Sequence, residues 1–289
     1  MASRLPQETP VRSPALLAVR ALAASRKKPG FVRRLPKRGR ARHGVTIERD
    51  AVARYAALCG FADRMGVPLL YPQLLSFDLA MDWITSDDCP WPALGTVHLA
   101  NRVVQLAPLA IGDRVDVLLQ PGALFSHDKG QALNLDLRIE RGGQTVWTAT
   151  QTLLRIGAPA TGEAWPGAVG TLPGLSRQAE LDAPADTGRR YAAVSGDYNP
   201  IHLSALSARL FGFRSAIAHG MWTQARALSL LLPPVGVNAA EVAVDFKAPL
   251  LLPGRASLWS RRSAGGADFE VRDARGEKPH LRGQWRLLP

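Results

Sequence analysis

The 289-residue chain has little of what marks redox, metal or disulfide-rich proteins. Its two cysteines, Cys59 and Cys89, lack the C-x-x-C spacing, so the sequence indicates neither a disulfide framework nor a zinc site. No metal-ligand spacing occurs among its six histidines, and there is no G-x-G-x-x-G or P-loop motif; the histidines stand at positions 43, 98, 127, 202, 219 and 280. We therefore expect that the protein needs no metal and no redox cofactor.

Long apolar runs are also missing. No stretch approaches the ~20 apolar residues of a membrane-spanning helix, and no signal-peptide core precedes a suitable cleavage site. The composition, 46% hydrophobic and 21% charged, is ordinary for a globular protein, and the chain is long enough for one large or two modest domains. We expect a cytoplasmic protein without a transmembrane segment.

Acidic residues are scarce in one segment only. Residues 1–43 contain twelve Lys and Arg against Glu8, a net +11 of the formal +12, so the remaining chain is nearly neutral and gives no reason to expect a specific nucleic-acid partner. Three interpretations of this tail stay open. It resembles an organelle presequence around Ser13–Leu22, it could contact polyanions or membrane surfaces, or it is a short helix and basic arm that pack on the body, which we favour.

The most informative segment is residues 191–204, YAAVSGDYNPIHLS. Asn199 can cap a helix and Pro200 suits its first position, which predicts that His202 lies in the first turn. Asp197, in the Gly-containing turn just before, can then face His202 across a gap wide enough for one water or one substrate hydroxyl. A carboxylate and an imidazole that share a water suit proton transfer near neutral pH. Taken singly, residues of these types more often mark or cap the start of a helix at the surface than take part in catalysis.

A second segment predicts a helix that begins near Gly220. The following run, Met221–Leu232, has no Gly or Pro and is rich in helix formers. A helix N-terminus offers unpaired N–H donors and a positive dipole end to an oxygen that gains negative charge. A glycine that serves only a tight turn is an equally good interpretation of Gly220. For His219 we favour packing or orientation over a direct catalytic part.

Both segments resemble the signature of the MaoC-like, (R)-specific enoyl-thioester hydratases and 3-hydroxyacyl-thioester dehydratases. The matching residues are Tyr191, Ser195, Gly196, Asp197, Asn199, Pro200, Ile201 and His202, followed by Phe211–Phe213 and Ile217–Met221. The resemblance implies that Asp197 and His202 hold the water added to or removed from a trans-2-enoyl thioester. It also implies that Asn199 helps to position the site and that the Gly220 N–H polarises the thioester carbonyl.

The same resemblance implies an acyl-CoA or acyl-carrier-protein thioester as substrate partner, and a homodimer is one possible assembly. Substrate-binding candidates are Ser195, His219 and Lys247. Lys247 and Arg214 lie close to the family motifs and are candidates for phosphate contact, although solvated surface is the simpler interpretation of both.

The chain also contains a faint copy of itself. Tyr55–Gly60 parallels Tyr191–Gly196, and Ala107–Leu109 parallels Ala248–Leu250. Each half has a short strand, a helical stretch and then several strands, which predicts an α+β architecture. This agrees with the hot-dog fold of the resembled family, in which an antiparallel sheet wraps around a central helix. We therefore predict a double hot-dog, with a basic extension over 1–43, repeats over 44–157 and 175–289, and a linker over 158–174.

The two repeats differ where the chemistry is expected. Phe61 stands where Asp197 stands in the second copy, and no histidine follows at the spacing of His202. Asp63 alone, without an imidazole partner, is more often solvated surface than catalyst. We predict that the first repeat has lost its site and shapes a pocket for the acyl chain. A non-catalytic acyl-thioester-binding module and a thioesterase on the same fold are the alternatives to a hydratase.

Overall fold

The computed structural model describes residues 6–28, 30, 32–93, 95–160 and 162–289. Its strands are β1 (Gln7–Glu8), β2 (Arg40–Thr46), β3 (Thr96–Gln105), β4 (Arg114–His127), β5 (Gly130–Arg141), β6 (Gln144–Ile156), β7 (Ser176–Ala183), β8 (Ala240–Phe246), β9 (Gly254–Ser263), β10 (Gly266–Asp273) and β11 (Pro279–Leu287). Its α-helices are α1 (Pro14–Ala24), α2 (Arg49–Cys59), α3 (Phe77–Thr85), α4 (Thr187–Ser195), α5 (Ala205–Arg209) and α6 (Gly220–Leu231). Short 3-10 turns cover Asp63–Met65, Tyr71–Ser76 and Pro200–His202.

The strands form one sheet in the order β1-β2-β4-β5-β6-β3-β8-β11-β10-β9-β7. Every neighbouring pair is antiparallel except β1 and β2. Apart from β1, each half of the chain supplies five adjacent strands, and the halves meet where β3 pairs with β8, from Ala100 opposite Asp245 to Gln105 opposite Ala240. From β2 onwards, each half also runs in the same order of one strand, its helices and then four strands. The predicted double hot-dog fold is therefore confirmed.

The repeat predicted from sequence is visible in two helix ends. Helix α2 ends at Gly60 and α4 at Gly196, each in the left-handed region (φ 78° and 80°). The cap N–H of Gly60 is bonded to the Ala56 carbonyl, and that of Gly196 to the Ala192 carbonyl. Only glycine adopts this conformation freely, so both halves stop the helix in the same way. The chain then differs, because Phe61 is buried whereas Asp197 is half-buried.

One hydrophobic core runs through both halves and includes Tyr55, Leu135, Leu228 and Phe269, all fully buried. A buried amide cluster adds a specific link between the repeats. Asn101 of β3 exchanges hydrogen bonds with Gln73 (3.0 and 3.1 Å) and also donates to Gln224 Oε1 of α6 (3.1 Å). Buried amides are costly unless paired, so this cluster favours one register between α6 and the first repeat.

The basic tail contributes a helix where the sequence predicts one. Helix α1, capped by Ser13, packs against α3, and Arg12, Arg20 and Arg40 all donate to the carboxylate of Asp82 (2.5–2.6 Å). Burial alone would raise the pKa of Asp82, but these arginine hydrogen bonds outweigh it and the pKa is lowered. Strand β2 begins at Arg40 and so crosses the boundary predicted after residue 43. No helix of the described residues is long and apolar enough to span a membrane.

Candidate active site

The turn that follows α4 holds Asp197 in place through local hydrogen bonds. Ser195 Oγ donates to the Tyr191 carbonyl (2.8 Å) and accepts the Asp197 N–H (3.2 Å). Asp197 Oδ1 in turn accepts the N–H of Asn199 (3.1 Å), and its side chain stays 31% exposed. The hydroxyl of Ser195, a predicted substrate contact, is thus engaged within the turn, where it orients the Asp197 backbone.

Asn199 caps the next element, as predicted, with its Oδ1 accepting the N–H of Ile201 (3.4 Å). That element is a single 3-10 turn over Pro200–His202 rather than the start of an α-helix. Ser204 adopts an extended conformation (φ −156°, ψ 160°) and caps the separate helix α5 with its own hydroxyl. The prediction of an α-helix from Pro200 is therefore wrong, because a second capping residue, Ser204, begins a new helix after one turn.

His202 is buried, at 8% exposure, and its Nδ1 lies 2.8 Å from the carbonyl oxygen of Ile217. A carbonyl oxygen can only accept, so Nδ1 carries the proton and Nε2 keeps its lone pair. Burial lowers the pKa of His202, which keeps the ring neutral near pH 7. A nitrogen of His202 and a carboxylate oxygen of Asp197 lie within 4.8 Å of each other. One water with hydrogen bonds of about 2.8 Å can bridge such a gap.

His219 connects the parts of this site. Its ring stacks on His202 with 3.6 Å between centroids, and its Nε2 donates to the backbone carbonyl of Asp197 (3.0 Å). Burial, followed by the nearby His202, lowers the pKa of His219 to about 3. The side chain is only 3% exposed. Its contacts match the packing or orientation role favoured from sequence, and they leave the residue little surface for the substrate contact also predicted.

Asp197, His202 and His219 are residue types that bind metals, and candidate ligand atoms of all three lie within 4.8 Å of one another. The sequence predicts that Asp197 and His202 face each other, but its spacing gives no sign that His219 joins them. The two imidazole rings, however, are stacked, with 3.6 Å between their centroids and 25° between their planes. A metal lies in the plane of each imidazole ligand at about 2.0–2.1 Å, and two stacked planes share no such point. The arrangement suits a bridging water better than a single metal ion.

Gly220 is the first residue of α6, as the sequence predicts, and His219 is the N-cap. Its φ is not in the left-handed region, so a tight turn does not explain the glycine. A Cβ at position 220 would lie 2.9 Å from ring carbons of Phe246, so the glycine is needed for this close packing. The first N–H groups of a helix lack partners within the helix, and Gly220 supplies one of them beside His219.

The structure also brings His98 of the first repeat towards this site. A β-bulge between His98 and Ala100 interrupts the pairing of β3 with β6, and such bulges re-aim side chains. The His98 ring packs on Phe246 with 4.8 Å between centroids. Burial lowers the pKa of His98 to about 4, against an opposing effect of the Asp197 charge. Sequence reasoning missed His98 because a single histidine in a strand carries no motif, and only the pairing of the repeats places it here.

Two remaining candidates lie outside this cluster of contacts. Lys247 Nζ pairs with Asp245 Oδ2 (3.0 Å), and the same carboxylate accepts the N–H of Ala168 (2.9 Å) from the segment between the repeats. Lys247 therefore helps to neutralise a carboxylate that anchors that segment. Arg214 is exposed, and its carbonyl accepts a hydrogen bond from Arg209 Nε (3.4 Å).

The buried histidines predict how stability depends on pH. His98 and His219 have folded-state pKa values of about 4 and about 3, below the ordinary 6.5 of an unfolded chain. Below pH 6.5 the unfolded chain binds protons that the folded protein excludes. Stability is therefore fully present above that pH and falls as the pH approaches 4. We expect the denaturant midpoint to decrease between pH 7 and 5, and to decrease less in His98→Phe. An identical pH dependence in both proteins would contradict this explanation.

The fold and the site geometry define a class of protein, a double hot-dog with an Asp–His pair beside a helix N-terminus. Comparison with known proteins gives the family. Residues 168–267 match the MaoC like domain. The chain is 34% identical over 255 residues to 3-hydroxyacyl-thioester dehydratase X of Mycobacterium tuberculosis, which spans 86% of this chain and 88% of that protein. The chain therefore belongs to the MaoC-like dehydratase family.

Solved structures agree with this assignment. The crystal structure of HtdX from Mycobacterium tuberculosis superposes with a TM-score of 0.74 at 33% identity, and the match covers 87% of this chain and all of that one. A second M. tuberculosis protein described as having a double hotdog fold superposes with a TM-score of 0.52 at 14% identity, covering 88% of this chain and 96% of that one. The latter similarity concerns the fold alone.

Proposed function

We propose that this protein is a hydro-lyase that interconverts (R)-3-hydroxyacyl thioesters and trans-2-enoyl thioesters plus water. The observation that carries the proposal is the facing pair of the Asp197 carboxylate and the neutral His202 ring, within 4.8 Å and beside the N-terminus of α6. The relative with 34% identity is named for a 3-hydroxyacyl-thioester dehydratase activity, which supports the same reaction class.

The residues of the site have separate parts in the reaction. Asp197 and His202 Nε2 hold the water, and one of them accepts its proton as the oxygen bonds to the β-carbon of the enoyl thioester. Electron density then moves onto the thioester oxygen, where the Gly220 N–H and the positive end of α6 stabilise it. Return of the proton to the α-carbon completes the addition of one water. Dehydration follows the same steps in reverse.

The direct test is a spectrophotometric assay of crotonyl-CoA. Hydration removes the absorbance of the conjugated enoyl thioester without releasing a thiol, and chiral analysis of the product identifies the (R)-alcohol. Release of free CoA would instead identify a thioesterase on this fold. Binding of the thioester without any reaction would identify a non-catalytic module.

The first repeat supplies a prediction of its own. Asp63 is exposed in a 3-10 turn where the second repeat has its catalytic turn, and Phe61 there is buried. We expect Asp63→Asn to leave kcat and KM for crotonyl-CoA nearly unchanged, because no imidazole faces this carboxylate at the spacing found for His202. A loss as large as that of Asp197→Asn would show that the first repeat also has a working site.

A further inference from the structure

Four apolar side chains are exposed beside the catalytic turn, at the level of helix α5. They form what we call the α5 patch, with exposed fractions of 44% for Tyr198, 76% for Leu206, 81% for Leu210 and 39% for Phe211. Leu206 and Leu210 are four residues apart and so lie on the same side of the helix and its cap. Exposed apolar side chains that cluster in one short segment are candidates for an interaction site.

The α5 patch lies beside the exposed member of the proposed catalytic pair. Tyr198 directly follows Asp197, whose side chain is 31% exposed and is the solvent-facing member of the catalytic pair. Ser207 Oγ of α5 donates to the Pro200 carbonyl (2.7 Å), which fixes α5 against the catalytic turn. A molecule seated on Leu206 and Leu210 would therefore sit beside the route to Asp197.

The formal charges from Tyr198 to Arg214 are all positive. The sequence from 198 to 214 contains no Asp or Glu, and Arg209 and Arg214 are exposed within it. Arg189 of α4 is also exposed and reaches across to the Leu203 carbonyl (3.2 Å). These polar contacts of Arg189 and Arg209 go to backbone carbonyls, so the guanidinium charges stay available to an anionic partner.

We propose that the α5 patch and its flanking arginines receive an acidic acyl-carrier protein, which delivers the thioester to Asp197 and His202. The proposal rests on the function proposed above. The nucleotide of CoA would use the arginines but would leave Leu206 and Leu210 in water. A small acidic helical protein matches both the cations and the apolar surface, since interfaces combine an apolar centre with complementary charges at the rim.

The test compares two substrates, crotonyl-CoA and a crotonyl group carried on a bacterial acyl-carrier protein. In Leu206→Ser/Leu210→Ser we expect the ratio of kcat/KM for the carrier substrate to kcat/KM for the CoA substrate to fall about tenfold or more. In Arg209→Glu/Arg214→Glu we expect kcat/KM for the carrier substrate and its docking affinity to fall by a similar factor. The matched control is Val19→Ser/Leu22→Ser on α1, two aliphatic side chains that are 65% and 69% exposed. This control should leave the ratio unchanged.

Three results would overturn the proposal. The ratio could stay constant in Leu206→Ser/Leu210→Ser, it could fall equally in the α1 control, or the patch variants could dissociate a dimer in sedimentation experiments, which would assign the surface to a second copy of the chain. Titration of holo-acyl-carrier protein into the wild type and both patch variants measures docking without turnover. If the wild type processes neither thioester, the proposed function fails, whereas the titration still decides whether the carrier docks.

Discussion

Asp197→Asn and His202→Ala should each leave a folded protein whose hydration of crotonyl-CoA is slower by ~10²–10⁴-fold, the usual effect of removing a positioned acid or base. Asn at position 197 retains an oxygen that can accept the Asn199 N–H, so the turn should keep its shape. His202→Ala removes the bond to the Ile217 carbonyl, so His202→Gln is a useful second variant. Circular dichroism and melting temperature check the fold, and Asp63→Asn is the matched control.

The double variant Asp197→Asn/His202→Ala distinguishes a shared water from two independent roles. If both side chains act on one water, removing the second after the first costs little more, because the water is already misplaced. We therefore expect the rate of the double variant to lie close to that of the slower single variant. Losses that multiply would mean that the two residues act in separate steps, and the bridging-water mechanism would have to be abandoned.

The parts of the site that could be predicted from sequence are those held by hydrogen bonds between residues close together in the chain. Ser195, Asp197 and Asn199 are held by bonds to residues two to four positions away, which turn chemistry encodes directly. The start of α6 at Gly220 is likewise encoded by the Gly- and Pro-free run that follows it. The repeat was predictable because the same left-handed glycine ends α2 and α4.

The features of the site that could not be predicted depend on contacts between distant segments of the chain. His98 reaches the second repeat only because β3 pairs with β8 and carries a bulge. Lys247, a predicted candidate for phosphate contact, has Asp245 Oδ2 at 3.0 Å from its ammonium group, and no local motif indicates this partner. The reason for a glycine at 220, the ring of Phe246 packed against it, is likewise a contact between distant segments. Each of these features depends on register, which no local motif specifies.

The role assigned to Gly220 can be tested by removing its N–H without removing the helix. Proline is tolerated at the first position of a helix, and the residue before a proline must be extended. His219 already has φ −62° and ψ 134°, so the backbone can accept Gly220→Pro. Gly220→Ala keeps the N–H but adds the same Cβ, which would lie 2.9 Å from Phe246. Both variants therefore crowd Phe246, and they differ mainly in whether the backbone N–H at position 220 is present.

We expect Gly220→Pro to lower kcat for crotonyl-CoA by ~10²–10³-fold relative to Gly220→Ala, the cost of losing one oxyanion donor. The effect should fall on kcat more than on KM, because the donor matters most when charge develops on the thioester oxygen. Repeating the comparison in a Phe246→Leu background relieves the crowding in both variants and should preserve the difference. If the alanine and proline variants are equally active in that background, crowding explains the whole loss of activity in Gly220→Pro. A donor other than the Gly220 N–H would then stabilise the oxygen.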